Sequence, residues 1–415
     1  MEHYKDFKRN YALNLLDGSF FGFAMGFASF SAVIPLFVYQ LTSSATLVGL
    51  IPAIHNMGWQ LPQLFSARSV SQQPYYKKMV LLMTIQERLP FLGLAILAAF
   101  VPIISKEIAL FIAFVLLIWQ GLGAGITANA WQNFICRIIP ADSRATFLGF
   151  QASAANLLQS IGAVLAGLIL GWLSSPLDFI TCFLITCVLM TFSWLALAAS
   201  REPASSEVAP GQPVFQNFWR DILVILRKDR SFRWFLASRI VFPFASMSFS
   251  FFVVYALEKY HMADTMVSLL ASVLFFAQVL ANLILGRLAD RWDIKTILEG
   301  GAIATILCTL LAWVITSDYI LFVVMILAGI ANTAYWTIGM AFIMRFGTNV
   351  DRPAYIGLAN TSIAPATILA PLLGGFLVDN LGFPVMFGTT IMLGIVNWFI
   401  LHFMVNERSS RRANA

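Results

Sequence analysis

The feature that most constrains this chain is an internal repeat, in which the second half matches the first at a fixed offset of 208 residues. The matched positions hold mainly glycines, arginines and aromatic residues, and the pairs are Gly121 and Gly329, Arg137 and Arg345, Arg144 and Arg352, Phe147 and Tyr355, Gly149 and Gly357, Ala166 and Gly374, and Gly167 and Gly375. Both halves are almost wholly apolar. Long repeats of lipid-soluble helices are typical of membrane transporters built from two parallel halves. The repeat therefore predicts two halves around a central pathway.

The composition places this chain in a lipid bilayer. Hydrophobic residues make up 59% and charged residues 11% of the chain, and its mean hydropathy is +0.81. Soluble domains contain about 45–50% apolar and about 25% charged residues. Apolar runs long enough to cross ~30 Å of hydrocarbon as helices recur along the whole chain. The predicted spans are 11–39, 46–66, 79–103, 108–138, 145–173, 177–200, 233–257, 264–287, 295–316, 318–345, 353–378 and 383–405. The predicted fold is an all-α integral membrane protein with twelve transmembrane helices in two pseudo-symmetric six-helix halves.

A polar linker predicts where one half ends and the other begins. We assign residues 1–200 to the first half, 201–232 to a cytoplasmic linker and 233–415 to the second half. After a stretch rich in Pro, Ser, Ala and Glu, apolar residues recur at helical spacing, with charged residues between them, over about 215–230. This pattern predicts a helix in the inner membrane interface, and an ordinary linker helix is the alternative.

The distribution of basic residues predicts the orientation in the membrane. With a cytoplasmic N-terminus, 22 of the 26 lysines and arginines fall in cytoplasmic segments. Only Lys106 and Lys259 fall on the other side, while Arg88 and Arg239 lie within spans. This bias predicts a multi-pass protein of the inner or plasma membrane with both termini in the cytoplasm. The net charge of +6 is therefore a topology signal, and no stacking motif accompanies it that would indicate nucleic acid.

The reactive side chains do not predict an enzyme or a metalloprotein. The four cysteines lie in apolar helices without metal-ligand spacing, and the four histidines are scattered along the chain. No glycine-rich phosphate loop is present, so ATP-driven transport has no support. We expect no cofactor, no metal and no catalytic residues. We expect a monomer, whose partners are a small-molecule substrate, protons and the lipid bilayer.

A charged loop provides the clearest resemblance to a known family. The segment Gly286-Arg287-Leu288-Ala289-Asp290-Arg291-Trp292-Asp293-Ile294-Lys295 resembles the loop motif G-x-L-a-D-r-x-G-r-[rk] of the major facilitator superfamily. It lies between the predicted eighth and ninth helices, one of the two places where that family carries the motif. Asp293 replaces the second glycine and Ile294 the following basic residue. The equivalent loop of the first half keeps Arg68 but has Ala67 in place of the acid.

Two further helix motifs resemble the same family. The sequence Ala-Pro-Leu-Leu-Gly-Gly at 370–375 is similar to the motif G-P-x-x-G-G, although it lies in the eleventh helix and the antiporter form belongs in the fifth. In the fourth helix, Gln120-Gly121-Leu122-Gly123-Ala124 is similar to the end of another motif, with Leu117 in place of its arginine. Together with the repeat, the resemblance covers essentially the whole chain.

The resemblance implies a gating role for Gly286, Asp290 and Arg291. A carboxylate at Asp290 can bind the positive N-terminal end of a neighbouring helix and pair with a guanidinium. By resemblance, that neighbour is the start of the fifth helix, over residues 144–149, and the contact closes the cytoplasmic side. The alternative is an ordinary tight turn with inside-positive residues.

Charged residues within spans indicate functional positions, because they are costly in lipid. Asp17 lies in the first predicted helix and Arg239 in the seventh. The resemblance implies that the first, fourth, seventh and tenth helices line the cavity. Three interpretations stay open: an ion pair between the halves, a proton carried by Asp17, or two interfacial residues extending to water. Glu87 and Arg88 lie in the peripheral third helix and are predicted to form a structural pair.

The same four helices predict the lining of the cavity. Its polar candidates are Asn129, Gln132, Asn133, Asn332, Tyr335 and Trp336. Aromatic and methionine side chains with a few amides suit an apolar or amphiphilic molecule. The predicted function is secondary transport by alternating access, with proton-coupled efflux of hydrophobic or amphiphilic compounds. Uptake or flipping of an amphiphile such as a lipid is one alternative, and a transporter-like ligand sensor is another.

Overall fold

A computed structural model describes residues 6–30, 32–42, 44–203, 218–252, 255, 259, 264–314, 319–348 and 351–406. Within these ranges the chain is helical and contains no strand. The helices up to the linker are α1 (Phe7–Phe27), α2 (Val33–Leu41), α3 (Ala45–Gln60), α4 (Pro62–Ser71), α5 (Tyr76–Phe100), α6 (Lys106–Ile138), α7 (Arg144–Trp172) and α8 (Leu177–Ala198).

The remaining helices begin with a short linker helix. They are α9 (Phe218–Lys228), α10 (Arg230–Ala245), α11 (Asp264–Arg291), α12 (Ile294–Val314), α13 (Ile320–Thr333), α14 (Gly339–Ile343), α15 (Arg352–Thr361), α16 (Ala364–Leu381) and α17 (Phe383–Phe399). A 3-10 turn (Met247–Phe251) follows α10. Two π-helical turns are also present, one between α13 and α14 (Ala334–Ile338) and one after α17 (Ile400–Met404).

Ten helical stretches among the described residues are long and apolar enough to cross a membrane. They correspond to ten of the twelve predicted spans. The span predicted at 11–39 falls on α1, which has 21 residues, and on α2, which has nine. The span predicted at 46–66 falls on α3, which passes into α4 at Leu61. Pro62 opens α4, and proline suits a first helical position since its missing N–H has no intrahelical partner there.

The chain divides into two compact units that each take one short segment from the opposite half of the sequence. The first unit comprises Met1–Pro140, Ala154–Val214 and Ile356–Thr361, and the second comprises Ala141–Ser153, Phe215–Tyr355 and Ser362–Ala415. The predicted division at 200 and 233 differs from these bounds. It does not anticipate that the start of α7 belongs to the second unit and the end of α15 to the first.

The first unit has a core of phenylalanine, alanine and branched side chains from α1, α2, α5, α6 and α8. Phe37 packs between Phe179 and Phe183, with ring centroids 5.3 and 5.4 Å away. Helix α7 approaches α1 closely, because a Cβ at Gly22 would stand 2.5 Å from the Cα of Ala155. Small residues permit such close approach of helix backbones in membranes.

The second unit also has aromatic residues in its core. Tyr255 and Phe387 make an edge contact at 5.0 Å, and Phe235 and Phe342 make another at 4.8 Å. The linker helix α9 buries Ile222 and Ile225, while the following basic residues are exposed. Its presence as a helix agrees with the predicted periodicity, and its position in the membrane interface stays a prediction. Residues 204–217 of the predicted linker lie outside the described ranges.

Candidate functional site

The motif residue Asp290 lies at the end of α11 and binds the N-terminus of α7 within the second unit. Its carboxylate accepts hydrogen bonds from the backbone N–H groups of Ala145, at 3.2 Å, and Thr146, at 2.6 Å. The guanidinium of Arg345 is 4.0 Å away. The first N–H groups of a helix have no intrahelical acceptor and carry partial positive charge, so a carboxylate is stabilised there. The contact predicted for Asp290 is therefore present.

The other two residues of the predicted gating motif take different positions. Gly286 is buried, and a Cβ there would stand 2.7 Å from the carbonyl oxygen of Ala145. Glycine is thus required where α11 crosses the start of α7. Arg291 is exposed. Their gating role stays a prediction, since these contacts describe one conformation.

The predicted cavity amides Asn129, Gln132 and Asn133 lie in a buried hydrogen-bond network in the first unit. The Asn129 amide donates to the Gln63 carbonyl oxygen at 2.8 Å, and Gln132 is 3.4 Å from the Gln63 side-chain oxygen. Asn133 donates to Asn129 at 2.9 Å. Asn360, from the end of α15, donates to the same Gln63 side-chain oxygen at 2.7 Å. Neutral amides provide most of the hydrogen bonds of this buried network, as expected for buried polar groups.

Asp17 lies in a polar cluster formed by α1, α5 and α8 of the first unit. Ser193 donates its hydroxyl proton to the Asp17 carboxylate at 2.6 Å, and the Arg88 guanidinium is 3.7 Å away. Arg88 also donates to Ser193 at 2.8 Å and to two helix carbonyls. Arg88, predicted to pair with Glu87, is therefore an ion-pair partner of Asp17. Asp17 itself is buried rather than extended towards water.

Arg239 is buried among aromatic residues in the second unit. Its guanidinium donates to the carbonyl oxygen of Tyr335 at 3.1 Å, and the Tyr335 hydroxyl donates back to the carbonyl oxygen of Arg239 at 2.7 Å. The guanidinium also lies 4.6 Å from the centre of the Tyr335 ring and 5.9 Å from that of Trp336. Phe242 stacks on Tyr335 at 3.8 Å. The backbone around Tyr335 is π-helical, a distortion common at functional sites.

A small cavity adjoins this aromatic group. It has a volume of about 20 Å³ and is lined in part by Ser238, Arg239, Tyr335 and Asn397. That space suits about one water molecule and is too small for an organic substrate. Trp336 is 38% exposed and Asn332 is half-buried. The structure therefore brings Arg239, Tyr335 and Trp336 together, and their role in binding a substrate stays a prediction.

Sequence reasoning missed Glu202, which repeats the chemistry of Asp290 in the first unit. Its carboxylate accepts hydrogen bonds from the backbone N–H groups of Tyr76, at 2.9 Å, and Lys77, at 2.8 Å, at the start of α5. The guanidinium of Arg137 is 3.2 Å away. Arg137 is the repeat counterpart of Arg345. The sequence signal for it was weak: an acid four residues after Ala198, the end of α8, which matches no motif.

Comparisons with known proteins identify the family. The model of the Major Facilitator Superfamily matches residues 20–261 and 239–415. A Na⁺, Li⁺, K⁺/H⁺ antiporter of Planococcus maritimus is 28% identical over 170 residues, which are 40% of this chain and 39% of the antiporter. The chain thus spans about two fifths of the length of that relative.

Solved structures show the same fold. The fucose:proton symporter of E. coli matches with a TM-score of 0.77 and 15% identity, over 96% of this chain and 100% of the symporter. The human organic anion transporter matches with a TM-score of 0.72 and 13% identity, over 95% of this chain and 99% of that protein. Within the described ranges, no three His, Cys, Asp or Glu side chains group as metal ligands. The match of the family model to nearly the whole chain means that this protein belongs to the Major Facilitator Superfamily and is a multi-pass membrane protein.

Proposed function

We propose that this transporter exports a hydrophobic or amphiphilic small molecule by alternating access, driven by protons that bind at Asp17. The observation that carries the proposal is the buried carboxylate of Asp17 in the membrane-spanning part of α1, beside Ser193 and Arg88. An ionisable residue inside the membrane is costly and by default indicates a functional position. Ser193 and Arg88 stabilise the ionised carboxylate, whereas its burial favours the neutral, protonated form.

The charge balance of the cluster supports one exchangeable proton. The cluster contains two acids, Asp17 and Glu87, and one cation, Arg88. Arg88 pairs with Asp17, and Glu87 interacts electrostatically with both. With both acids ionised the group carries one net negative charge in a low-dielectric region, and one bound proton neutralises it. Binding of one proton therefore removes the net charge of the cluster and its release restores that charge, so the cluster can alternate between two charge states during a transport cycle.

The comparisons support proton coupling but leave the substrate open. One relative is a cation/H⁺ antiporter and one structural neighbour is a proton symporter. The second unit places the buried Arg239 beside Tyr335, Trp336 and Phe242. Aromatic side chains favour an apolar or amphiphilic organic molecule, and this group is the basis for the proposed substrate class.

The test is transport in reconstituted vesicles with an imposed pH gradient. Asp17→Asn is compared with Asp178→Asn, which removes another buried acid of the first unit, one that accepts a hydrogen bond from its own helix at Phe179 N. We expect Asp17→Asn to lower gradient-driven transport at least tenfold while substrate binding is retained. Asp178→Asn is expected to keep both.

Several substrates are supplied in parallel: hydrophobic cations, amphiphiles, labelled phospholipids, and Na⁺ and K⁺. If Asp17→Asn transports at the rate of the parent protein under the pH gradient, Asp17 does not carry the coupled proton. Binding without accumulation by the parent protein would favour the ligand-sensor alternative, and movement of phospholipid alone would favour a flippase.

A further inference from the structure

An open groove of about 830 Å³ lies on the second unit where α9 meets the start of α10. Its wall includes Val224 and Lys228 from α9, Arg230 from α10, Tyr355 from α15 and Phe403 from the π-helical turn that ends the chain's last span. The lining combines polar and apolar side chains. This groove is far larger than the water-sized cavity beside Arg239.

The ends of two membrane spans set the depth of the groove. The span beginning at Arg230 and the span ending at Met404 both terminate beside it. The ends of spans lie where hydrocarbon gives way to headgroups, because a helix of about 20 apolar residues just crosses the hydrocarbon. A molecule in this groove therefore sits at the depth of phospholipid headgroups.

The basic side chains of the groove are available to a ligand. Lys228 and Arg230 are exposed and make no hydrogen bond or ion pair through their side chains with any other residue that the structure describes. The two acids of the lining are engaged locally. Asp229 accepts from Phe232 N at 2.9 Å, and Asp351 accepts from a hydroxyl in its own loop at 2.7 Å.

The groove also has an exposed apolar side. Val224 is 50% exposed and Phe403 60% exposed, so both leave apolar surface uncovered beside the two basic residues. The stretch 218–233 carries five basic residues against two acidic ones. Basic amphipathic helices next to a span end attract anionic lipids through charge and apolar burial together.

We propose that this groove binds an anionic phospholipid, with the phosphate on Lys228 and Arg230 and an acyl chain along Val224 and Phe403. The arrangement offers two cations to one phosphate and an apolar surface to one chain. A phospholipid meets both at once, whereas a free phosphate ion or glycerol phosphate meets only the cations. The site is independent of the proton cluster at Asp17.

The experiment compares two double variants with the same change of charge. Lys228→Gln/Arg230→Gln removes the cations of the groove, and Arg220→Gln/Arg227→Gln removes two exposed cations of α9 outside its lining. Purified protein is titrated with phosphatidylglycerol or phosphatidylcholine in mixed micelles, and bound lipid is counted by native mass spectrometry. Thermal unfolding midpoints establish that each variant is folded.

We expect the parent protein to retain phosphatidylglycerol in preference to phosphatidylcholine. The groove variant, Lys228→Gln/Arg230→Gln, should bind phosphatidylglycerol at least about tenfold more weakly. The control variant is expected to bind within about twofold of the parent. A further variant, Lys228→Arg/Arg230→Lys, keeps both positive charges and is expected to retain binding. Equal losses in both Gln variants would mean diffuse attraction to α9 and overturn the site. Absence of any preference in the parent, or full competition by glycerol phosphate, would also overturn it.

Discussion

The crossing of α7 with α11 in the second unit and that of α15 with α4 in the first are related by the internal repeat. In the second unit, a Cβ at Gly149 would overlap the carbonyl oxygen of Asn282. In the first, a Cβ at Gly357 would stand 2.6 Å from the carbonyl oxygen of Gln63. Each crossing also has a hydroxyl that donates to a backbone carbonyl: Ser153 of α7 donates to Val279 in α11, and Thr361 of α15 donates to Gln60 at the end of α3, just before α4. The backbone geometry is thus shared by the two crossings.

The chemistry of the two crossings differs. The second unit places the charged Asp290 on the N-terminus of α7, while the first unit has the buried Ala67 at the motif position and neutral amides around Gln63. The acid that faces the repeated arginine of the first unit is Glu202, on the N-terminus of α5. Close helix approach therefore depends on the glycines, and the position of the acid is free to change between the halves.

The largest effect is expected from substitutions that prevent the close helix approach shared by the two crossings. Gly149→Val and Gly357→Val place a branched side chain against backbone atoms that have no room to move, and we expect each to destabilise the folded protein by about 3 kcal/mol or more. Gly167→Val is the control, because a Cβ at Gly167 meets nothing within 4 Å. The measurement is the thermal unfolding midpoint in detergent. Parental midpoints for both crossing variants would show that the crossings are not tightly constrained.

A smaller effect is expected from the charge that distinguishes the crossings. Asp290→Asn weakens two hydrogen bonds to a carboxylate, and bonds to charged groups contribute about 1.5–3 kcal/mol. Since about 1.4 kcal/mol changes an equilibrium constant tenfold, the ratio of bound to separated α7 and α11 should fall by about tenfold or more. Spin labels at positions 141 and 292, both exposed, should then report a longer mean distance and transport should decrease.

The exposed Asp293, in the same loop, provides the matched control. Asp293→Asn removes the same charge at the position where the family motif has glycine, and it should leave the distance distribution and transport close to those of the parent. An unchanged distribution in Asp290→Asn, in the same lipid and at the same pH, would leave this loop as an ordinary turn.

The sequence predicted features that depend on local patterns. The repeat, the apolar runs and the motif around Asp290 predicted the helices and the contact of Asp290 with the start of α7. The partners of Asp17, Asn129 and Arg137 were not predicted. Membrane helices are apolar on nearly all faces, so periodicity does not reveal which side of a span faces its neighbours. The pairing of Arg88 with Asp17 depends on how α1 and α5 are rotated.

The smallest effect is expected from removing the hydroxyl group at the equivalent position of each crossing, Ser153 or Thr361. Thr361 donates to the carbonyl oxygen of Gln60 at 2.9 Å and accepts from Leu64 N at 3.1 Å, whereas Ser153 makes one bond, to the carbonyl oxygen of Val279 at 2.7 Å. Side-chain hydrogen bonds between membrane helices contribute about 0.6 kcal/mol on average. Thr361→Val should therefore destabilise the protein by about 1 kcal/mol and Ser153→Ala by about half of that.

Denaturant unfolding in mixed micelles measures both values, and Thr361→Ser tests whether the hydroxyl alone is responsible, because it keeps the hydrogen bonds and removes only the methyl group. If Ser153→Ala costs as much as Thr361→Val, the second hydrogen bond of Thr361 contributes nothing measurable. The crossing of α15 with α4 would then be stabilised by the close packing at Gly357 and by the amides around Gln63. The Thr361 hydroxyl would only provide a hydrogen-bond donor to a carbonyl oxygen that packing has already buried.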